Sequence, residues 1–195
     1  MFGCPLAYHE RVVDAIRAYG DQPICAVADI TESLIRLRKS IAAHRKAPSD
    51  SAIRAKGLEA DWYDLLFRAR ALQTSNNPYV LAASRAVELV LYLSWYPERE
   101  TNLTYLATEL KEALCGLPVR PCLFMDLTSC QMMLGAIASV EGSETRAWFV
   151  ARMRNAVVTL RSRGWERPLE ILEQGFAADE GMGARFRTLR RELDG

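Results

Sequence analysis

Apolar residues in this chain recur at steps of three and four, and no stretch sustains the strict alternation of a strand. A period of that length gathers apolar side chains into one stripe only when the backbone is helical, because a strand repeats every two residues. The chain is therefore expected to be all-α. It has 195 residues, half of them hydrophobic, which suits a single helical domain with a sizeable core.

The pattern predicts nine helices. The first spans about Leu6 to Tyr19 and the second about Ile24 to His44, with Ile30, Leu34, Leu37 and Ile41 on one stripe. "RKAPSDS" reads as a linker, in which Asp50 or Ser51 can cap the third helix, about Ala52 to Gln73. "TSNNP" separates that helix from a fourth, Pro78 to Tyr96, whose leading proline lacks an N–H that no helix start would use. The fifth covers Leu103 to Leu114. The sixth, Cys122 to Val140, is apolar almost all round and is expected to be surrounded by the others in an orthogonal bundle. Ser143 can cap a seventh helix, Glu144 to Arg163, and Gly164 suits the left-handed residue after its end. Glu166 to Phe176 and Met182 to Leu193 complete the set.

Charge and cysteine usage narrow the function classes. The formal net charge is +1, whereas phosphate neutralisation needs a concentrated basic surface. The Arg-rich C-terminal part is interleaved with acids such as Glu166, Glu170, Glu173 and Glu192, so it reads as a solvated mixed-charge face, and no direct nucleic-acid contact is expected. Five cysteines without a CxxC argue against a disulfide framework or a zinc site and fit a reducing compartment. The first twenty residues lack the basic start and apolar core of a signal peptide. The Cys122–Val140 segment contains Asp126, Thr128, Ser129 and Gln131, which suits a buried helix better than a membrane span. An intracellular protein, cytoplasmic or nuclear, is the expectation.

No dinucleotide, phosphate-loop, metalloprotease or nucleophile-elbow motif occurs, and no cofactor or metal is expected. His9 and His44 are the two histidines, and neither stands at metal-ligand spacing from another good ligand. "DLTSCQMM" places Asp126, Ser129, Cys130 and Gln131, with Met133, on the apolar sixth helix. Polar atoms there must find partners. They either bond back to backbone groups or point into an apolar pocket and orient a small molecule. A buried Asp126 would resist ionisation and is the candidate general acid or base. Trp62, Tyr63, Tyr92 and Trp95 recur at helical spacing, either as core or as the facing wall of such a pocket. Trp148 and Trp165 stand just inside two helix starts, where a large ring can staple the first turn to its neighbour.

Four segments in order carry a resemblance: "AASRAVELVLYLSWY", "LKEALCGLP", "MMLGAIASVEGSETRAWFVARM" and "RGWERPLEILEQGF". Together they resemble the C-terminal domain of fungal zinc-cluster transcription factors, over roughly residues 80 to 193. The upstream "GCP" and "ITESLIRLRKSI" are more weakly similar to that family's preceding helices. The resemblance implies an all-helical, effector-responsive regulatory region and supplies no catalytic residues. The family's six-cysteine DNA-binding head is missing from this chain. Cys130 stands where the family often has Trp, Met133 where Phe is usual, and Ser94 where the family has His. Such large-to-small changes open space or admit other side chains.

Three functions compete. The first is a regulatory module that senses an apolar metabolite. The second is a cofactor-free enzyme, an isomerase or cyclase of fungal secondary metabolism, in which Asp126, Ser129, Cys130 and Gln131 face Trp62, Tyr63, Tyr92 and Trp95. The third is a protein-interaction module, a homodimer or a partner of transcription factors, which predicts an exposed apolar patch rather than an enclosed pocket.

Overall fold

The computed structural model describes residues 22–46, 52–117, 125–162, 169 and 180–194. The described residues form seven helices and no strand, as the periodicity requires. They are α1 (Gln22–Lys46), α2 (Ala52–Leu72), α3 (Pro78–Trp95), α4 (Glu100–Cys115), α5 (Met125–Ala138), α6 (Glu144–Ser162) and α7 (Glu180–Asp194). The helices expected over Leu6–Tyr19 and Glu166–Phe176 lie outside the described residues. So do the caps at Asp50, Ser51 and Gly164, and Trp165.

Local chemistry explains most boundaries. The Asn77 side chain accepts from the backbone N–H groups of Tyr79 and Val80, at 3.0 and 3.4 Å, and Pro78 follows at the first helical position. Ser143 Oγ accepts from Arg146 N at 3.2 Å, so the expected cap of α6 is in place. Helix ends differ from the sequence reading by up to three residues, and two of these differences have a clear local cause. α4 begins at Glu100, because the polar turn Glu100–Asn102 carries no apolar period to reveal it. α5 ends at Ala138, short of Val140, because the chain turns at Ser139–Gly142, where Gly142 adopts φ +78°. That left-handed conformation suits glycine, which has no Cβ to clash.

Two helices share the middle of the molecule. α3 packs against α1, α2, α4, α5 and α7, and every residue from Ala86 to Leu91 is buried. α5 packs against α3, α4, α6 and α7. Arg85 and Glu88 disguise α3 in the sequence as a half-exposed helix; the structure buries Glu88 to 2% exposure.

A close approach joins α5 to α6. A Cβ built on Gly135 would lie well under 3.0 Å from the Phe149 ring, which is fully buried. Only glycine lets the tip of that ring come so close to the α5 backbone. The C-terminus of α5 is then closed by two arginines. Arg146 Nη1 donates to the carbonyls of Ala136 (2.7 Å) and Ser139 (3.1 Å), and Arg185 Nη1 donates to that of Ile137 (3.2 Å). Helix C-termini leave unpaired carbonyls and a partial negative charge, and a guanidinium answers both. Glu192 on α7 holds Arg146 in place, accepting from Nε and Nη2 at 2.9 and 2.6 Å. No helix among the described residues is long and apolar enough to cross a membrane.

Candidate functional site

The residues expected to form one pocket stand on three helices, α2, α3 and α5. Trp62 and Tyr63 stand on α2, which packs against α1 and α3 but not appreciably against α5. Ser129, Cys130, Gln131 and Met133 stand on α5, and Tyr92 and Trp95 stand on α3, which packs against both α2 and α5. Ser129 and Met133 are buried, and Cys130 and Gln131 are partly buried. Met133 belongs to the core, with Cys130 packed against it. Asp126 is part of α5, but its side chain lies outside the described residues.

The aromatic residues assemble at the seam of α2 and α3. Trp62 is 2% exposed, and its Nε1 donates to the carbonyl of Leu91 at 3.0 Å. With its polar edge satisfied, the indole is buried without an unpaired donor. Tyr63, Tyr92 and Tyr96 meet its faces and edges in T-shaped pairs, with centroids 5.0, 5.3 and 5.6 Å away. Arg99 lies over the Tyr96 ring at 4.0 Å and adds a cation–π contact. Trp95 packs against the core from a partly buried position. The contacts of Trp62 with Tyr92, Tyr96 and the Leu91 carbonyl tie α2 to α3 and its C-terminal turn, and the indole is buried.

The same seam holds a charged cluster that the sequence reading did not single out. Glu88 Oε1 accepts from Arg70 Nε and Nη2 at 2.9 and 2.8 Å, and its Oε2 accepts from Gln73 Nε2 at 2.6 Å. Burial opposes the Arg70 cation, but the hydrogen bonds and charge of Glu88, with a smaller contribution from Tyr92, hold its guanidinium above its ordinary pKa. A carboxylate in so apolar a run as "RAVELVLYL" needs a partner, and that was the available signal.

Two clefts among the described residues are open and polar. One is lined by Glu98–Asn102, before and at the start of α4. The other runs between α1 and α2 and is lined by residues including Ser33, Arg36, Asp61 and Arg68. Neither includes a residue of α5. Among the described residues, no group of three or more His, Cys, Asp or Glu could hold a metal ion.

The outward ridge of α2 is the most unusual surface. Phe67 is 75% exposed and Tyr63 54% exposed. They stand one helical turn apart, and exposed Ala60 and Ala71 continue the line at steps of three and four. The helix's buried stripe, Leu58, Trp62, Leu65, Leu66 and Ala69, occupies the opposite side. Among the described residues, the other exposed large hydrophobics, Tyr105, Val140 and Val158, stand singly on other elements. Isolated exposed apolar residues are ordinary, whereas an aromatic pair on one ridge points to a contact surface. Phe67 escaped the sequence reading because its immediate neighbours, Leu65 and Leu66, are core residues.

Compared with family models, with curated proteins and with solved structures, the chain matches none.

Proposed function

We propose that this chain is a regulatory helical domain that works through protein–protein contact, with the outward ridge of α2 as its working surface. The observation that carries the reading is the exposed Tyr63–Phe67 pair, backed by a helix whose other side is fully committed to the core. The resemblance of residues 80–193 to the regulatory region of fungal zinc-cluster transcription factors supports a role in transcriptional regulation, inside the cell, in cytoplasm or nucleus. An orthogonal bundle of eight or nine helices is the architecture that goes with it.

The metabolite-sensing and cofactor-free enzyme readings draw less from the geometry. Trp62 is sealed by Tyr63, Tyr92, Tyr96 and the Leu91 carbonyl, and α2, which carries Trp62 and Tyr63, does not pack appreciably against α5. Both readings need those groups to face a common space.

The test is proximity labelling in cells that express the full chain, with wild type and Phe67→Asp compared at equal abundance. The reading expects a set of neighbours labelled by wild type and lost with Phe67→Asp. An identical set from both chains would overturn it.

A further inference from the structure

Charge placement along the ridge says what kind of surface fits it. Glu59 lies three helical turns before Arg70, on the same flank, and Arg70 faces α3 through Glu88. Asp61 and Arg68 share the other flank, where both line the cleft beside α1. In each pair the acid lies toward the N-terminus and the base toward the C-terminus. Both pairs are centred on the same point, between Asp64 and Leu65. Tyr63 and Phe67 lie on either side of that point, along the crest.

This arrangement is self-complementary in one direction only. A second α2 laid antiparallel across the ridge, about a two-fold axis beside Asp64–Leu65, sets Glu59 against the copy's Arg70 and Asp61 against its Arg68. The same operation places Phe67 over the copy's Tyr63. A parallel alignment sets acid against acid and base against base. A two-fold interface must be complementary to itself in this way.

The groups have capacity left for those contacts. Glu59 and Asp61 are exposed. Arg70 is 54% exposed and uses Nε and Nη2 on Glu88, with Tyr92 as a further partner, and its five-donor fork keeps capacity for one more contact. Arg68 reaches Asp64 only at 3.6 Å, in an exposed pair that can open at little cost.

We infer that the occupant of the α2 ridge is a second copy of this chain, docked antiparallel. The inference rests on the reading of the ridge as a contact surface. One helix ridge is smaller than the roughly 800 Å² per partner of a standard interface, so the dissociation constant is expected on the order of micromolar to tens of micromolar. The dimer weakens with added salt, because its flanking pairs stay at the rim.

Sedimentation velocity on the purified full chain, as a concentration series spanning that range, tests the inference. Wild type is expected to pass from monomer to dimer, while Phe67→Asp stays monomeric with an unchanged melting curve. Asp61→Arg is expected to weaken the dimer several-fold by setting Arg against Arg68 of the copy. The double change Asp61→Arg/Arg68→Asp is expected to restore it. A wild-type chain that stays monomeric throughout overturns the inference, as does a dimer indifferent to Phe67→Asp. A dimer that loses nothing with Asp61→Arg overturns the antiparallel arrangement. If the chain is monomeric yet Phe67→Asp still removes labelled neighbours in cells, the self-docking inference fails and the contact-surface reading stands. If neither dimer nor neighbours depend on Phe67, both fail.

Discussion

Replacing Gly135 with alanine adds one methyl group and should destabilise the fold well beyond that modest change. On the helix alone the substitution favours folding by about 1 kcal/mol, since glycine is the poorer helix former. The packing acts against it. The new Cβ would meet Cζ and both Cε atoms of Phe149 at well under 3.0 Å, and Phe149 is fully buried among core residues. The ring must retreat by roughly 1 Å or more to regain ordinary contact, in an interior that transmits such shifts. Overpacking of this kind costs about 1–3 kcal/mol, and outright expulsion of a phenylalanine about 3–5 kcal/mol. Subtracting the helix gain leaves a net loss of up to about 2 kcal/mol if the ring shifts in place and about 2–4 kcal/mol if it is expelled, the latter roughly 5–15 °C in melting temperature for a chain of this size. Urea unfolding of Gly135→Ala measures it directly. Gly57→Ala is the control: nothing lies within 4 Å of its Cβ position on an exposed part of α2, so it should stabilise by about 0.5–1 kcal/mol. Combining Gly135→Ala with Phe149→Leu should cost less than the sum of the two single changes. A Gly135→Ala chain as stable as Gly57→Ala would refute the close approach of α5 and α6.

Other substitutions test the remaining parts of the fold. Arg146→Met removes the donor that closes α5 and leaves Glu192 unpaired; thermal unfolding should show a loss of about 3 kcal/mol, with Arg146→Lys recovering only part because it cannot fork to both groups. Ser94→Ala should be neutral or stabilising by about 1 kcal/mol in urea, since the Ser94 hydroxyl is buried with no hydrogen-bond partner. Glu88→Leu removes the buried carboxylate that Arg70 and Gln73 donate to, and because the exposed Arg70 head group can turn to water, calorimetry should register a loss of no more than about 1 kcal/mol.

The helices were legible because each must bury one stripe, and that stripe is written as a period. Ile30, Leu34, Leu37 and Ile41 could be placed on one buried stripe from spacing alone, and Pro78 and Ser143 could be placed at helix starts from their chemistry. Tertiary placement was not legible in this way. Arg146 looks like any surface arginine of a mixed-charge helix until α5 ends beside it and α7 supplies Glu192. Nothing local to "DLTSCQMM" or to Trp62–Tyr63 says that α5 and α2 do not pack appreciably against each other. Glu88 was half legible: its isolation in an apolar run demanded a partner, but the partner, Arg70, comes from the preceding helix. Phe67 was hidden because apolar character alone does not say which side of a helix is covered; exposure is a property of the packed bundle.

The central claim is that Phe67 is held at the surface for a partner and contributes nothing to the core. Equilibrium urea unfolding of the full chain with Phe67→Asp, at a concentration low enough for the wild type to be monomeric, tests it most directly. If the ring is 75% exposed as described, the unfolding free energy should match wild type within about 0.5 kcal/mol. A loss of about 2 kcal/mol or more would mean that the ring is buried within the isolated chain, and the α2 ridge would then be part of the fold rather than a surface for binding.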